Sequence, residues 1–292
     1  MTSPVVEPAH AKLNVFLRVL GRRGDGSHDI ETVLLPLDLH DVLTLEPAEA
    51  FVVEITGARA GELEDAGGES LLAAAASAFA EALEIDLPTI HVVLDKRIPV
   101  AAGMGGGSAD AAALLRALGR LHGVRHGRLV DIAAAVGSDV PGLVPGGAVH
   151  AAGRGDRISP VHAQTTTWVV RPFGFAVSTR DAYAWWDETG STGPDPGALI
   201  AAIETGNDEL LGGAIYDDLQ APVADRHPEI AETIGVFLDE GALGAIMTGS
   251  GPTVVALARH LGHADALAAA VPGSFVVTGP PRTMDVDRSG VV

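Results

Sequence analysis

Apolar and polar residues alternate over AKLNVFLRVLGRR, where Leu13, Val15, Leu17 and Val19 fall on one face, the period of a half-buried strand. The turn-rich GRRGDGSHD ends it. ETVLLPLDLHDVLTLEP then predicts one or two further strands, with Pro36 at an edge or bend, and FVVEITG predicts another. The period changes at GGESLLAAAASAFAEALEI, which reads as a helix with Ser70 as its candidate cap. TIHVVLDKRIPV is a strand that runs straight into glycines. Past them Ala111, Leu114, Leu115, Leu118 and Leu121 recur at helical spacing and predict a helix over about 108–121. RLVDIAAAVG reads as a short helix ending at Gly137, and GGAVHAAGRGDRISPV as a hairpin closing the first half.

From about residue 165 the pattern restarts. TTTWVVRPFGFAVST predicts strands, TRDAYAWWDETG starts a helix, and TGPDPGALIAAIETG gives a turn and a short helix. HPEIAETIGVFLDEG is a helix stopped by Gly241. ALGAIMTGSGPTVVAL reads as strand, glycine turn and strand, HADALAAAVPG as a helix and SFVVTGP as a last strand. The tail after Pro281 is expected to be less ordered. The sum is an α+β protein of two halves, divided near 155–165 and set here at 1–160 and 161–292.

The chain has 292 residues, ample for two domains, and its 47% hydrophobic and 20% charged residues are ordinary for a soluble globular protein. No run of 18 apolar residues suggests a membrane span, and the start lacks the basic and apolar pattern of a signal peptide, so a cytoplasmic location is expected. The absence of cysteine excludes disulfides, thiolate zinc sites and cysteine nucleophiles. A formal net charge of −19 argues against nucleic acid or an anionic membrane surface as partner. It leaves room for an anionic small molecule, because backbone dipoles and a few cations act locally. The cations are nearly all arginine. Base composition accounts for that bias, but it singles out the two lysines that remain, Lys12 and Lys96.

Chemistry concentrates in PVAAGMGGGSADAAALLRAL, residues 99–118, where Gly103, Gly105, Gly106 and Gly107 are interrupted only by Met104. Strand, glycines and helix in that order present backbone N–H groups and a helix dipole to an anion. The Walker A pattern fails, since no Gly-Lys pair occurs in the chain. The G-x-G-x-x-G pattern fails as well, because counting from Gly103 puts Ser108 at the last glycine. What remains is a phosphate loop of another kind or a flexible turn that lets helix and strand pack closely. Ser108 suits the helix cap, and its hydroxyl is also placed to face a phosphate. Asp110 falls in the first helical turn, where a carboxylate complements the dipole. Asp139, between Gly-Ser and Val-Pro, reads equally as a turn aspartate bonded to its own backbone. Lys12, within a strand, reads equally as a side chain snorkelling to solvent.

PVAAGMGGGSADAAALL and MTGSGPTVVAL resemble the second and third signatures of the GHMP small-molecule kinases. AHAKLNVFLRVLGRRGDGSHDIETVLLPLD, AAAVGSDVPGLVPGGAVHAAGRGD and FAVSTRDAY continue the likeness in the family's order over nearly the whole chain. The resemblance implies the two-domain fold of that family, with an N-terminal domain like domain 2 of ribosomal protein S5. It implies ATP-dependent phosphorylation of the 2-hydroxyl of a cytidine diphosphate-linked methylerythritol, a step in non-mevalonate isoprenoid synthesis, with Mg²⁺ accompanying the nucleotide. Lys12 and Asp139 would be the catalytic pair. The ATP phosphates would lie on Pro99, Val100, Ala101, Ala102, Gly103, Met104, Gly105, Gly106, Gly107, Ser108 and Ala109. Asn14 and His28 match positions near the substrate, His28 toward the cytosine end.

The chain departs from the family at three points. Asp25-Gly26-Ser27-His28 stands where Asp-Gly-Tyr-His is common, which removes a ring able to stack on cytosine. Tyr183, Trp185 or Trp186 could supply a ring from the other side. Met104 replaces a leucine, and Ala109 a second serine. A sibling kinase acting on a mevalonate- or homoserine-like alcohol, or a non-catalytic ATP-binding protein on the same fold, are the competing readings. Either a monomer or a homodimer is compatible with the sequence.

Overall fold

The computed structural model describes residues 4–65, 71–100 and 102–281. The first half folds as β1 (Val5–Arg22), β2 (His28–Pro47), β3 (Val52–Thr56), α1 (Ala60–Asp65), α2 (Leu71–Leu83), β4 (Ile90–Asp95), α3 (Gly106–His122), α4 (His126–Ala133), α5 (Val140–Leu143), β5 (Val149–Gly153) and β6 (Arg157–Pro160). The second half folds as β7 (Thr166–Arg171), α6 (Thr179–Thr189), α7 (Gly197–Thr205), α8 (Asp208–Ala214), β8 (Tyr216–Asp217), α9 (Gln220–Ala224), α10 (Pro228–Asp239), β9 (Gly244–Met247), β10 (Val254–Ala258), α11 (Leu261–Ala270) and β11 (Phe275–Gly279).

Two sheets carry the fold. β1 and β2 form a long antiparallel pair whose register slips between His10 and Lys12, between Asn14 and Phe16, and between Val19 and Gly21. One end of β2 pairs with β4 and the other with β5, so one ribbon serves two parts of a seven-stranded sheet ordered β3-β4-β2-β1-β8, with the β5–β6 hairpin branching from β2. The second sheet runs β11-β7-β10-β9. Three apolar clusters fill the space. One lies between α2, α3, α4 and the first sheet. A second joins the sheets, with Leu13, Val15 and Phe16 against Trp168, Val255 and Leu257. The third packs α6, α10 and α11 on the second sheet.

The ribbon differs from the simple alternation read in the sequence. Leu13, Val15 and Phe16 share one cluster while Leu17 and Val19 belong to another. Each register slip re-aims the side chains beyond it, as a β-bulge does. Pro36 does not break the second strand; it sits inside β2 opposite Lys12, at the first slip, where an N–H is not needed. α3 begins at Gly106, with Gly105 as its N-cap at φ 68°, so Ser108 lies inside the first turn and is not the cap. Asp110 is likewise deeper than a first-turn position and is buried. Leu121 turns outward at 38% exposure. Only β7 forms in the segment read as strands after 165, and α8, β8 and α9 occupy a stretch left unassigned by periodicity. Ser70 and the residues after Pro281 lie outside the described residues. Among the described residues no helix is long and apolar enough to cross a membrane.

Candidate active site

The site begins where β1 slips register. Lys12 and Asn14, two residues apart on the strand, are both buried, and the Lys12 Nζ donates to Asn14 Oδ1 at 2.5 Å. Asn14 is held in that orientation from its other end. Its Nδ2 donates to Thr32 Oγ1 at 2.7 Å and its backbone N–H to Thr248 Oγ1 at 2.8 Å, while Thr32 Oγ1 donates to the Phe16 carbonyl. A lysine buried in this way needs acceptors. The second is Asp139, whose Oδ2 stands 3.3 Å from Lys12 Nζ. Asp139 precedes α5 and makes no capping bond with its side chain, so the carboxylate is not consumed by its own turn. Its side chain is 40% exposed against 5% for that of Lys12: the aspartate faces solvent and the lysine stands behind it.

The glycine segment closes over this pair. The Lys12 backbone N–H donates to the Met104 carbonyl at 3.0 Å, and the buried Met104 side chain anchors the loop in the central cluster. Gly105 lies so close to Lys12 that a Cβ there would come within 2.9 Å of Lys12 Cε. The second glycine turn, 248–252, packs on the first: Thr253 Oγ1 donates to the Ala102 carbonyl at 2.5 Å, and a Cβ on Gly103 would meet the Gly251 carbonyl oxygen at 2.8 Å. Gly249 covers Asn14 and Lys12 from the other side, its absent Cβ falling 2.7 Å from Asn14 Oδ1 and 3.4 Å from Lys12 Nζ. Gly106, Gly107 and Ser108 open α3, where the first N–H groups of a helix have no internal acceptor, while the Ala109 N–H already donates to the Gly105 carbonyl at 2.8 Å. The Val100 N–H donates to Glu62 at 3.3 Å, Pro99 is half-buried beside it, and Ala101 lies outside the described residues.

Asp217 is a component that the sequence did not point to. It pairs with β1 at Leu17, the Leu219 N–H donates to its Oδ1 at 2.9 Å, and the Gly249 N–H is near enough to favour the ionised carboxylate. Burial nevertheless holds its carboxyl well above the usual range, with Asp218 adding to the effect and Lys12 opposing it. Its Oδ2 has no hydrogen-bond partner. Asp217 therefore stands between the second glycine turn and the strand that carries Lys12.

The aromatic side of the site is built on α6. His28 opens β2 and stacks on Tyr183, ring centroids 4.6 Å apart, with the edge of Trp186 at 6.0 Å. Asp187 fixes the imidazole at 2.8 Å through Nε2. Burial pushes the Tyr183 phenol above its ordinary range, and the charges of Asp139 and Asp217 push the same way. Trp185 is not brought to this cluster. It lies two residues further along the helix, on the other side, with Arg226 over its ring at 4.7 Å and His227 at 6.2 Å. Ser27 bonds Asp25 through both its N–H and its hydroxyl.

A buried lysine against a half-exposed carboxylate, at the foot of two abutting glycine turns and a helix start, is an arrangement suited to phosphoryl transfer. Known proteins agree with it. The family model described as GHMP kinases N terminal domain matches residues 70–155, and the one described as GHMP kinases C terminal matches 199–277. The chain is 41% identical over 252 residues to a 4-diphosphocytidyl-2-C-methyl-D-erythritol kinase of Symbiobacterium thermophilum, covering 84% of this chain and 88% of that one. It is 39% identical over 274 residues to a protein of the same name from Anaeromyxobacter dehalogenans, covering 92% and 85%. A solved 4-(cytidine 5'-diphospho)-2C-methyl-D-erythritol kinase superimposes with a TM-score of 0.78 at 31% identity, over 95% of this chain and 100% of that one. A homoserine kinase from Cytophaga hutchinsonii shares the fold at a TM-score of 0.71 and 18% identity. Relatives of this identity and coverage, together with both family domains in order, show that the chain belongs to the GHMP kinase family.

Proposed function

We propose that the protein phosphorylates a hydroxyl of 4-diphosphocytidyl-2-C-methyl-D-erythritol with ATP, in the cytoplasm, the 2-hydroxyl being the acceptor. The observation that carries this reading is the 3.3 Å pairing of Lys12 with Asp139 directly beneath the loop whose Met104 carbonyl is bonded to Lys12. The names of the relatives supply the acceptor. In the reaction the acceptor oxygen bonds to the terminal phosphorus as the bond to the ADP oxygen breaks, and Asp139 takes the hydroxyl proton. Lys12 holds Asp139 in place and offsets charge growing on the transferred group. The loop 99–109 binds the triphosphate through backbone N–H groups. Mg²⁺ would arrive on the nucleotide and neutralise phosphate charge there. Among the described residues no group of three or more His, Asp or Glu is arranged to hold a metal, so the phosphates themselves would be its main ligands.

ATP, Mg²⁺ and a panel of alcohols decide the acceptor. ADP release is expected only with the cytidine-linked substrate. Turnover on mevalonate or homoserine instead would move the assignment to a sibling kinase, and nucleotide binding without turnover on any acceptor would leave a non-catalytic protein.

Tyr183 supplies the ring that Ser27 lacks. Tyr183→Ala is expected to raise KM for the acceptor roughly 5- to 150-fold, the equivalent of about 1–3 kcal/mol of base–aromatic stacking. KM for ATP stays unchanged. Steady-state kinetics with each substrate varied in turn checks it, and a rise confined to ATP would place the cytosine elsewhere.

A further inference from the structure

The second of the two lysines is also buried, and it lies under the same loop. Lys96 Nζ donates to Asp41 Oδ2 at 2.6 Å and to Asp110 Oδ2 at 2.8 Å, and all three side chains are nearly sealed from solvent. Asp41, from β2, also accepts from the backbone N–H groups of Arg97 and Ile98 at 2.5 and 2.8 Å. Asp110 stands on α3. The glycine loop leaves the cluster at residue 98 and returns to it through the first turn of α3, so the cluster fastens both ends of a segment that glycine leaves free to wander. Gly106 is part of the fit: a Cβ there would meet Lys96 Nζ at 2.9 Å.

The cluster holds two carboxyl groups and one ammonium. The carboxyls of Asp41 and Asp110 converge on the one Lys96 ammonium, at 2.6 and 2.8 Å, so two acids share a single counter-charge. Asp110 Oδ1 has no hydrogen-bond partner in the structure. The charged groups facing Asp110 are Lys96 from the segment after β4 and Asp41 from β2. Lys12 stands across the loop with its Nζ engaged by Asn14 and Asp139, and Arg97 turns outward to Asp95. With both carboxyls ionised the cluster carries a net negative charge beside the first turn of α3, where a Cβ on Gly106 would meet Lys96 Nζ at 2.9 Å and where the proposed function puts the nucleotide phosphates.

We infer that Lys96, Asp41 and Asp110 form a positioning clasp for the phosphate loop, and that a bound triphosphate draws a proton onto its carboxyl pair. The inference rests on the reading of residues 99–109 as the ATP-phosphate site. Burial already pushes the Asp110 carboxyl up to about 8, with Asp41 raising it and Lys96 opposing. An anion added above the clasp raises it further. A proton held more tightly in the bound state favours binding at low pH, so ATP affinity falls as pH rises through about 8. One linked proton limits the fall to about tenfold per pH unit.

Titration calorimetry of the full-length protein with Mg²⁺-ATP tests this at pH 8, in buffers of differing ionisation enthalpy. At that pH the nucleotide's own phosphates are fully ionised. The observed enthalpy is expected to vary with the buffer in the direction of proton uptake, and Asp110→Asn is expected to bind ATP without that dependence. Lys96→Met, if it folds, should raise KM for ATP more than it lowers kcat, since the clasp acts through the loop. Zero uptake by the wild-type protein between pH 7.5 and 9, or the same uptake by Asp110→Asn, would overturn the inference while leaving the kinase reading intact. If the variant does not fold, the wild-type pH dependence of ATP affinity decides: a flat profile overturns the inference. Absence of any nucleotide heat would remove the phosphate site, and the inference with it.

Discussion

Asp139→Asn lowers kcat by roughly 100- to 10,000-fold, the usual span for loss of a positioned general base. The substitution keeps the shape of the side chain and removes the charge and the basic site. The consequences for folding are small, because the Asp139 side chain is 40% exposed and caps nothing. Lys12 retains its bond to Asn14 Oδ1, so the buried ammonium is not left without an acceptor. Binding of both substrates should therefore survive, with affinities within a few-fold of wild type by calorimetry and the loss confined to turnover. That split is diagnostic, since an interaction felt only in the transition state lowers kcat and kcat/KM together. The alternative is that positioning alone suffices. Phosphoryl transfer passes through a loose transition state that asks little of a base, and an Asp139→Asn enzyme with near wild-type kcat would show that the aspartate only orients the acceptor.

The two residues that this experiment turns on were legible because the sequence marks them by scarcity and by motif. A chain that spends its positive charge on arginine keeps two lysines, and both are buried with carboxylates against them: Lys12 with Asp139 and Lys96 with Asp41 and Asp110. The partners were harder to see. Asp41 sits in the middle of a strand pattern about 55 residues from its lysine, and nothing local distinguishes it from a solvent-facing aspartate. Asp110 reads as a first-turn dipole residue only if the helix starts at Ser108, and it starts at Gly106. Glycine counts against a helix in propensity terms, whereas here Gly105 takes the left-handed cap and Gly106 and Gly107 are already helical. The segment holding Asp217 has no period at all. β8 spans two residues and pairs in parallel with a strand some 200 positions earlier, so neither alternation nor a hairpin turn announces it. On α6 the sequence offered three aromatic residues in four positions without ranking them. Helical geometry ranks them, turning Tyr183 and Trp186 toward His28 and Trp185 toward Arg226.

Gly105→Ala and Gly107→Ala, two substitutions in one glycine run, are expected to differ in sign. At Gly105 the backbone sits at φ 68°, which an L side chain adopts at a cost of about 1–2 kcal/mol. The new methyl would also approach Lys12 Cε to 2.9 Å, tighter than any ordinary contact, and Lys12 can yield only by moving its ammonium against Asn14 and Asp139. A displacement of about 1 Å at a reacting group is enough to lose about 100-fold in rate. Gly105→Ala should therefore melt earlier and turn over about 100-fold more slowly. Gly107 is helical, with nothing nearer its absent Cβ than Leu71 Cδ1 at 3.7 Å. Alanine there gains helix propensity, about 0.8–1 kcal/mol over glycine, and should raise the melting temperature. Thermal denaturation of both variants beside wild type, with kcat for Gly105→Ala, makes the comparison. If the run were only a pliable turn, the two alanines would shift stability alike and Gly105→Ala would keep its turnover. Opposite shifts in melting, with rate lost at Gly105, require the loop to be a fixed surface pressed against Lys12.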